Sequence, residues 1–384
     1  MVGAETARPR AHAAGVVTGR LPTGPLNAIT DVAGVLVGHT TLAWGEGPLV
    51  PGVGPVRTGV TAIRPHPGNL FRDKVTAAVH VINGFGKSVG FPQVQELGNL
   101  ETPILLTNTL SVGAVSDALV GYMLDQNPEI GDSTGTVNPV VGECNDSYLN
   151  DIRGRHVHAA HVLAALETAS GGLVPEGAVG AGTGMSCYGF KGGIGTSSRV
   201  VAAFTLGALV LANFGTRRQL TVKGVPVGEA LAGWEGALPA SAGAPAVVPT
   251  DAPENGSIMM VLATDAPLSS RQLGRVSHRA SAGLARTGSM LGHGSGDFVI
   301  AFTTANRVPH EPGETILHYE RLSDDSRAFS ELLSAAVEAV EEAVLNALFA
   351  SETVVGRDGH VRYGLPIPEV LDILRRHAAL SEER

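Results

Sequence analysis

The 384-residue chain is poor in cysteine, aromatic residues and charge. Its two cysteines, Cys144 and Cys187, share no C-x-x-C spacing, so neither a disulfide framework nor a zinc site is predicted. The net charge is −9 and no basic cluster stands out, which argues against nucleic acid as a partner. Because the sequence has neither a run of eighteen apolar residues nor a signal-peptide core, no membrane span is predicted, and we expect a cytoplasmic protein.

What the chain has in quantity is apolar residues and glycine. At 43% hydrophobic, with 50 glycines, it can bury a large core and make many tight turns. Short apolar runs predict strands, and most are continuous, as in strands covered on both faces. These runs are residues 32–37, 75–82, 104–106, 137–141, 200–211, 258–263 and 298–302.

Helical periodicity and capping residues predict helices between and after these strands. The predicted helices are residues 111–124, 156–169, 269–287, 326–350 and 368–380. Layers of helix over doubly covered sheet fit the pattern, which makes the fold α/β. Residues 1–20 are predicted to be a loose leader, and the Ala- and Pro-rich segment 229–254 a long exposed connection.

Three patterns suggest sites that the residues do not complete. The segment 84–88 resembles a phosphate-binding loop, but the glycine that such a loop needs first is Val81. The glycines at 180–184 and 192–195 do not form a dinucleotide-binding turn. His156, His158 and His161 have no nearby carboxylate in sequence to complete a metal set, so they are predicted to form a polar helix face.

The most informative stretch is residues 253–268, where Asn255-Gly256 runs directly into an apolar strand headed by Ser257. Asn-Gly is a strong hairpin signal, so an ordinary turn is one interpretation. The other is a serine nucleophile, which needs an adjacent base. A free α-amino group with a pKa of about 7.7–8 would supply that base if the Gly256–Ser257 bond were broken.

Ordered blocks over residues 21–365 support the second interpretation. They are TDVAGVLVGHT at 30–40, NGFG at 83–86, VGECNDSYLND at 141–151, GTGM at 182–185, KGGIGTSSR at 191–199 and GSGD at 294–297. Together with Gly256-Ser257, these blocks resemble the L-aminopeptidase/D-esterase/D-amidase family, which includes the β-peptidyl aminopeptidases. The resemblance implies a four-layer αββα sandwich that cleaves itself into residues 1–256 and 257–384. It also implies one hydrolase domain over 21–384 and a homo-oligomer, with a tetramer favoured.

The resemblance also implies the roles of particular residues. Ser257 is the nucleophile and its freed α-amine the base, and Asn213 is the oxyanion-hole amide. Glu143 receives the free amine of the substrate, and Tyr148 lines the substrate pocket. Ser295 and Asp297 form a hydrogen-bonded pair around the nucleophile. Asp297 stands where some β-peptide-active members have Glu.

The expected activity is removal of a small N-terminal residue from peptides, amides or esters, with no metal or organic cofactor. One alternative is an acyltransferase of the ornithine-acetyltransferase type, although such enzymes place Thr, not Ser, at the new N-terminus. A second alternative is a non-enzymatic relative whose chain stays uncut. A cysteine hydrolase that uses Cys144 or Cys187 is a third. Stereochemistry and the choice between α and β backbones depend on pocket shape and are not readable from the sequence.

Overall fold

The structure is a computed structural model that describes residues 8–236 and 256–381. The strands of the described residues are β1 (Leu36–Trp44), β2 (Val56–Arg64), β3 (Asp73–Gly84), β4 (Asn99–Leu100), β5 (Ile104–Asn108), β6 (Val140–Cys144), β7 (Ser186–Cys187), β8 (Phe190–Lys191), β9 (Gly193–Val201), β10 (Phe204–Asn213), β11 (Ser257–Thr264), β12 (Gly296–Pro309), β13 (Val354–Val355) and β14 (Val361–Arg362). The helices are α1 (Phe91–Leu97), α2 (Val112–Gln126), α3 (Ala159–Glu167), α4 (Val227–Ala230), α5 (Ser270–Arg286), α6 (Arg327–Ala350) and α7 (Ile367–Arg376).

Ten of these strands form two sheets. The four-stranded sheet has the order β1-β2-β5-β6, and the six-stranded sheet has the order β4-β3-β12-β11-β10-β9. Strand β11 lies inside the six-stranded sheet, antiparallel to β10 and parallel to β12. Because β11 is buried along its whole length, its first residue is fixed by neighbours on both sides.

The alternation of side chains along β11 explains how the layers pack. Met259 and Val261 belong to one apolar cluster, which also contains Ile104 and Leu106 of β5 in the other sheet. Ile258, Met260 and Leu262 belong to a second cluster, which contains the buried faces of α5 and α6. The continuous apolar run of β11 is therefore needed because both of its faces are buried, as the sequence predicted.

Helices cover the outward faces of both sheets at close range. Helices α2 and α3 share an apolar cluster with the four-stranded sheet, while α5 and α6 cover the six-stranded sheet. A Cβ on Gly195 of β9 would lie 1.9 Å from the carbonyl oxygen of Ala343 in α6, so only glycine allows this approach. The buried Arg199 guanidinium pairs with Glu338 at 3.1 Å and Glu342 at 2.7 Å, which ties α6 to β9.

Several predicted boundaries are wrong. The run 200–211 is not one strand, because the chain turns at Ala202 (φ 52°) and separates β9 from β10. Strand β2 and helix α1 were not predicted, and the predicted strand 32–37 overlaps β1 only at Leu36 and Val37. Helix α3 begins at Ala159, so His156 and His158 precede it, and the predicted polar face of three histidines is wrong because only His161 lies in the helix.

The predicted loose leader is also wrong for the residues that the structure describes. Arg8 donates to the carbonyl oxygens of Phe349 at 2.8 Å and Leu365 at 2.5 Å, and Ala11 and Val16 are fully buried. Residues 1–7 lie outside the described part.

The predicted connection 229–254 is structured at its start. Helix α4 includes Glu229, and the Trp234 ring packs 5.8 Å from the ring of Phe190. The remainder of that prediction, from residue 237 onward, lies outside the described residues.

Candidate active site

Ser257, the first residue of β11, lies between the ends of two other strands. It pairs with Asn213, the last residue of β10, and with Gly296, the first residue of β12. Its side chain is buried, and its hydroxyl donates to the carbonyl oxygen of Gly256 at 2.7 Å. The same oxygen accepts the Gly296 N–H at 3.1 Å. The carbonyl before Ser257 is therefore held by two donors, one of which belongs to the candidate nucleophile.

Glycine is required before Ser257 for a steric reason. A Cβ on Gly256 would lie 2.5 Å from both the carbonyl oxygen of Asn213 and the Cα of Phe214. Both of these atoms belong to the backbone, so they cannot move aside as a flexible side chain could. A larger residue at position 256 would therefore clash with the end of β10.

The Asn213 side chain is oriented by two backbone groups. Its Oδ1 accepts the Ser186 N–H at 2.8 Å, and its Nδ2 donates to the carbonyl oxygen of Asn145 at 3.0 Å. An amide nitrogen carries two hydrogens, so one N–H remains beyond the bond to Asn145. The predicted oxyanion donor is thus positioned by the β7–β8 hairpin and the loop after β6.

Ser295 and Asp297 form the hydrogen-bonded pair that the family resemblance implied. The Ser295 hydroxyl donates to Asp297 Oδ1 at 2.5 Å, and both side chains are buried. The Asn83 amide donates to the carbonyl oxygens of Gly292 and His293 at 3.1 and 3.0 Å, and also to that of Ser295. Asn83 thereby fixes the turn that leads into β12 and the pair beside β11.

Glu143 at the end of β6 is a buried carboxylate without a cation. It is only 2% exposed, accepts the Lys87 N–H at 2.9 Å, and accepts the hydroxyl of Thr109. The Lys87 ammonium lies instead over the Phe85 ring, 4.7 Å from its centre. No positively charged side chain within residues 8–236 and 256–381 forms an ion pair with Glu143. Such a carboxylate can bind a cation that comes from outside the chain.

One glycine separates Glu143 from the β12 side of Ser257. A Cβ on Gly86 would lie 3.4 Å from Glu143 Oε1, and a Cβ on Gly296 would lie 3.2 Å from the Cα of Gly86. Glu143, Gly86 and Gly296 are therefore consecutive neighbours beside the nucleophile.

Tyr148 lies in a stack of π systems. Its ring is parallel to that of His360, with centres 4.5 Å apart, and the Arg362 guanidinium lies 3.6 Å from its centre. Tyr148 follows Glu143 by five residues, in the loop whose Asn145 carbonyl holds Asn213. The structure thus joins this ring to the candidate oxyanion donor through one short loop.

Several groups near the site were not predicted to have a role. Burial raises the pKa of Asp146 to about 7 and lowers that of Lys191 to about 7. Lys191 donates to the carbonyl oxygens of Gly182 and Gly192 at 2.9 and 2.7 Å. Both residues fall in blocks of the family resemblance, which was the only signal in the sequence. The Gly296 N–H belongs to the backbone, so no side chain could have revealed it.

The cysteine and metal alternatives gain no support from the geometry. Cys144 is fully buried, its Sγ lies 3.4 Å from the carbonyl oxygen of Leu211, and burial raises its pKa, which disfavours the thiolate. His156 binds Asp151 at 2.9 Å. Across the described ranges, no group of three or more His, Cys, Asp and Glu side chains is arranged to hold a metal ion. In the same residues, no helix combines the length and apolarity that a membrane crossing needs.

Comparison with known proteins identifies the class. The sequence matches peptidase family S58 over residues 27–362. It is 43% identical to a β-peptidyl aminopeptidase of Sphingosinicella microcystinivorans, over 99% of this chain and 96% of that protein. The structure resembles a β-aminopeptidase of Burkholderia sp., with a TM-score of 0.86, 42% identity, and coverage of 98% of this chain and 100% of that one.

A second solved relative has a similar fold. It is the L-aminopeptidase D-Ala-esterase/amidase of Ochrobactrum anthropi, with a TM-score of 0.86, 39% identity, and coverage of 97% of this chain and 100% of that one. That protein is described as a variant of the Ntn hydrolase fold and a prototype of the serine aminopeptidases. The chain belongs to peptidase family S58. It is therefore a hydrolase of the aminopeptidase type.

Proposed function

We propose that the chain cleaves its own Gly256–Ser257 bond and then acts as a serine aminopeptidase on short peptides, amides and esters. The observation that carries this proposal is the contact of one carbonyl oxygen, that of Gly256, with both the Ser257 hydroxyl and the Gly296 N–H. This arrangement brings the candidate nucleophile to the bond it must attack and places a donor where negative charge would develop.

In the cleavage step, Ser257 Oγ attacks the Gly256 carbonyl carbon. The oxyanion forms on the oxygen that the Gly296 N–H already contacts. The C–N bond then breaks, the nitrogen takes the proton that the Ser257 hydroxyl gave up and becomes an α-amine, and Gly256 is left as an ester on Ser257. Water hydrolyses the ester, which gives a Gly256 carboxylate and a Ser257 with both its hydroxyl and its amine free.

In the hydrolytic step, the same hydroxyl attacks the substrate carbonyl. Its proton passes to the α-amine of Ser257, whose ordinary pKa of about 7.7–8 suits a general base. The leaving amine takes that proton as the acyl-enzyme forms, and water then releases the acid. The departure of Gly256 frees the Gly296 N–H for the substrate oxygen, beside the remaining N–H of Asn213. Ser295 and Asp297 keep the nucleophile and its amine in place.

Glu143 makes the enzyme an aminopeptidase in this proposal. A buried carboxylate without a cation, one glycine away from Gly296, is suited to bind the ammonium of a substrate's first residue. The charge-assisted hydrogen bond would favour substrates with a free N-terminus. Tyr148 lines the same pocket.

The packing supports the finer description of the fold. Three apolar clusters in the order helix–sheet, sheet–sheet and sheet–helix fit a four-layer αββα sandwich. We propose one hydrolase domain, cut into residues 1–256 and 257–384, which assembles as a homo-oligomer, with a tetramer favoured. An acyltransferase activity remains the alternative, and Ser rather than Thr at position 257 disfavours it.

The nucleophile is tested by Ser257→Ala, with the exposed Ser133→Ala as the matched control. The Ser257 variant should remain one chain and hydrolyse no amino-acid amide, ester or peptide, because both reactions use the same oxygen. The control should behave as the wild type does. Full hydrolysis by Ser257→Ala would refute the proposal, and acetyl transfer from acetylornithine to glutamate by the wild type would favour the alternative.

A further inference from the structure

Two arginines flank the β7–β8 hairpin beside the candidate site. Arg362 Nε donates to the Ser186 hydroxyl at 2.9 Å, and its guanidinium stacks on Tyr148. On the other side of the hairpin, the Arg217 guanidinium lies 4.9 Å from the centre of the Phe190 ring, and its Nη1 donates to the carbonyl oxygen of Trp234 at 2.7 Å.

Neither arginine has a carboxylate partner among the described residues. Each instead keeps a buried N–H without an acceptor: Nε of Arg217 and Nη1 of Arg362. The fully buried Arg199 shows how the chain pairs such a charge elsewhere, since it binds two glutamates, whereas Arg217 and Arg362 are partly buried. An unpaired buried donor on a charged group is costly, so these two N–H groups indicate a missing anionic partner.

Electrostatics agree with this interpretation. Burial lowers the pKa of Arg217, and burial with the charge of Arg217 lowers that of Arg362, while Tyr148 has the opposite effect on Arg362. The two cations are therefore close enough to repel each other, and a bound anion would relieve that repulsion.

The position relative to Ser257 indicates which anion fits. Arg362 is linked to the β10 side of the nucleophile, because Ser186 binds Arg362 through its hydroxyl and binds Asn213, the strand partner of Ser257, through its N–H. Glu143 reaches it from the β12 side, through Gly86 and Gly296. A carboxylate that binds an ammonium and an arginine that lacks an anion thus lie on opposite flanks of one serine.

We propose that Arg362, supported by Arg217, binds the C-terminal carboxylate of a short peptide substrate. The ammonium would lie at Glu143, the scissile carbonyl at Ser257 and the carboxylate at Arg362, so the cleft would fit a dipeptide or tripeptide. This inference rests on the proposed function and adds the substrate class. The same carboxylate chemistry could come from Gly256 after self-cleavage, and the experiment separates the two sources.

The test compares a dipeptide that the mature enzyme hydrolyses with the C-terminal amide of the same dipeptide. The wild type should have the higher kcat/KM on the free carboxylate. Arg362→Met should lower the carboxylate-to-amide ratio of kcat/KM about ten- to a hundredfold, mainly through KM. Arg362→Lys should lower it less, because a charge remains, and Arg217→Met should also have a smaller effect. Arg218→Met is the matched control, since Arg218 is exposed and pairs with Glu229 at 3.0 Å.

Self-cleavage of each variant is followed by gel, so that a failure of the proposed function is distinguished from a failure of this inference. If the variants fold poorly, product inhibition of the wild-type enzyme tests instead whether the site binds a carboxylate. A free amino acid should inhibit at least tenfold more strongly than its amide, because only the acid carries the carboxylate. Equal inhibition, or a ratio that Arg362→Met leaves unchanged in a cleaved enzyme, would overturn the inference. A loss of fragment association in Arg362→Met, with the substrate ratio unchanged, would assign the site to Gly256 and would overturn it as well.

Discussion

The role of Glu143 gives a prediction that separates hydrolysis from self-cleavage. In Glu143→Gln, the side chain keeps its size and its acceptor for the Lys87 N–H, a bond of 2.9 Å. It loses its charge, and the oxygen that accepts the Thr109 hydroxyl becomes an NH2 donor. The substrate ammonium then faces a neutral amide. By contrast, the Gly256–Ser257 peptide bond presents no ammonium during maturation.

The magnitude follows from the type of bond that is lost. A hydrogen bond to a charged group contributes about 1.5–3 kcal/mol, and a tenfold change in rate corresponds to about 1.4 kcal/mol. We therefore expect kcat/KM for a dipeptide or amino-acid amide to fall about ten- to two-hundredfold. The rate at which the precursor converts to two fragments should stay within about twofold of the wild type.

The assay uses the same preparation for both measurements. Fragment formation is followed by intact mass, and hydrolysis is followed on a free-amine amide and on its N-acetylated analogue. The exposed Glu96→Gln serves as the control for removing one carboxylate charge. The reasoning about Glu143 is refuted if the variant hydrolyses the free-amine substrate at the wild-type rate. It is equally refuted if self-cleavage and hydrolysis are lost together.

Three further variants test the remaining geometry. Asn213→Ala should lower kcat for hydrolysis about a hundred- to a thousandfold, as loss of an oxyanion donor does. It should slow self-cleavage less, because the Gly256 oxygen accepts from the Gly296 N–H and the Ser257 hydroxyl, while Asn213 Nδ2 donates to Asn145. Equal losses in the two reactions would contradict this. Arg199→Met should lower the free energy of unfolding by about 3–5 kcal/mol in urea denaturation, since it leaves two buried carboxylates without their cation. Adding Glu338→Gln and Glu342→Gln to this variant should recover part of the loss. If Arg199→Met alone left the free energy of unfolding unchanged, the ion pairs would not contribute to stability. Burial lowers the pKa of His39 to about 4, from an ordinary 6.5, so the folded state binds fewer protons than the unfolded state between these values, and stability should fall as the pH falls through that window. His39→Gln should flatten this dependence in thermal denaturation across pH 4–7, and an unchanged slope would exclude His39 as its source.

The sequence predicted the central strands well because their apolar runs are continuous. The run 258–263 lies inside β11, and both of its faces are buried, so packing and pattern agree. The sequence did not predict β2, because Thr58 and Thr61 interrupt its apolar run although both residues are buried. Their hydroxyls are satisfied by Asn108 Nδ2 at 2.8 Å and His39 Nδ1 at 2.9 Å, partners that only the fold brings near.

The candidate site, like the fold, was predicted only in part from the sequence. The roles of Ser257, Asn213 and Glu143 were implied by the family resemblance, and the spacing of these residues alone would have suggested a hairpin turn and ordinary polar side chains. Only the structure reveals the Gly296 N–H donor and the Arg362 guanidinium near the site, because their positions depend on how strands that are distant in sequence align. No local pattern encodes the approach of β14 to the loop after β6.

The central claim is that the chain becomes an enzyme by breaking one bond. Intact mass with N-terminal sequencing of freshly purified protein, followed over prolonged incubation, tests it most directly. The account predicts two fragments, residues 1–256 and 257–384, with the smaller beginning at Ser257-Ile258-Met259. A single chain of 39.4 kDa that persists throughout while hydrolysing substrate would contradict it.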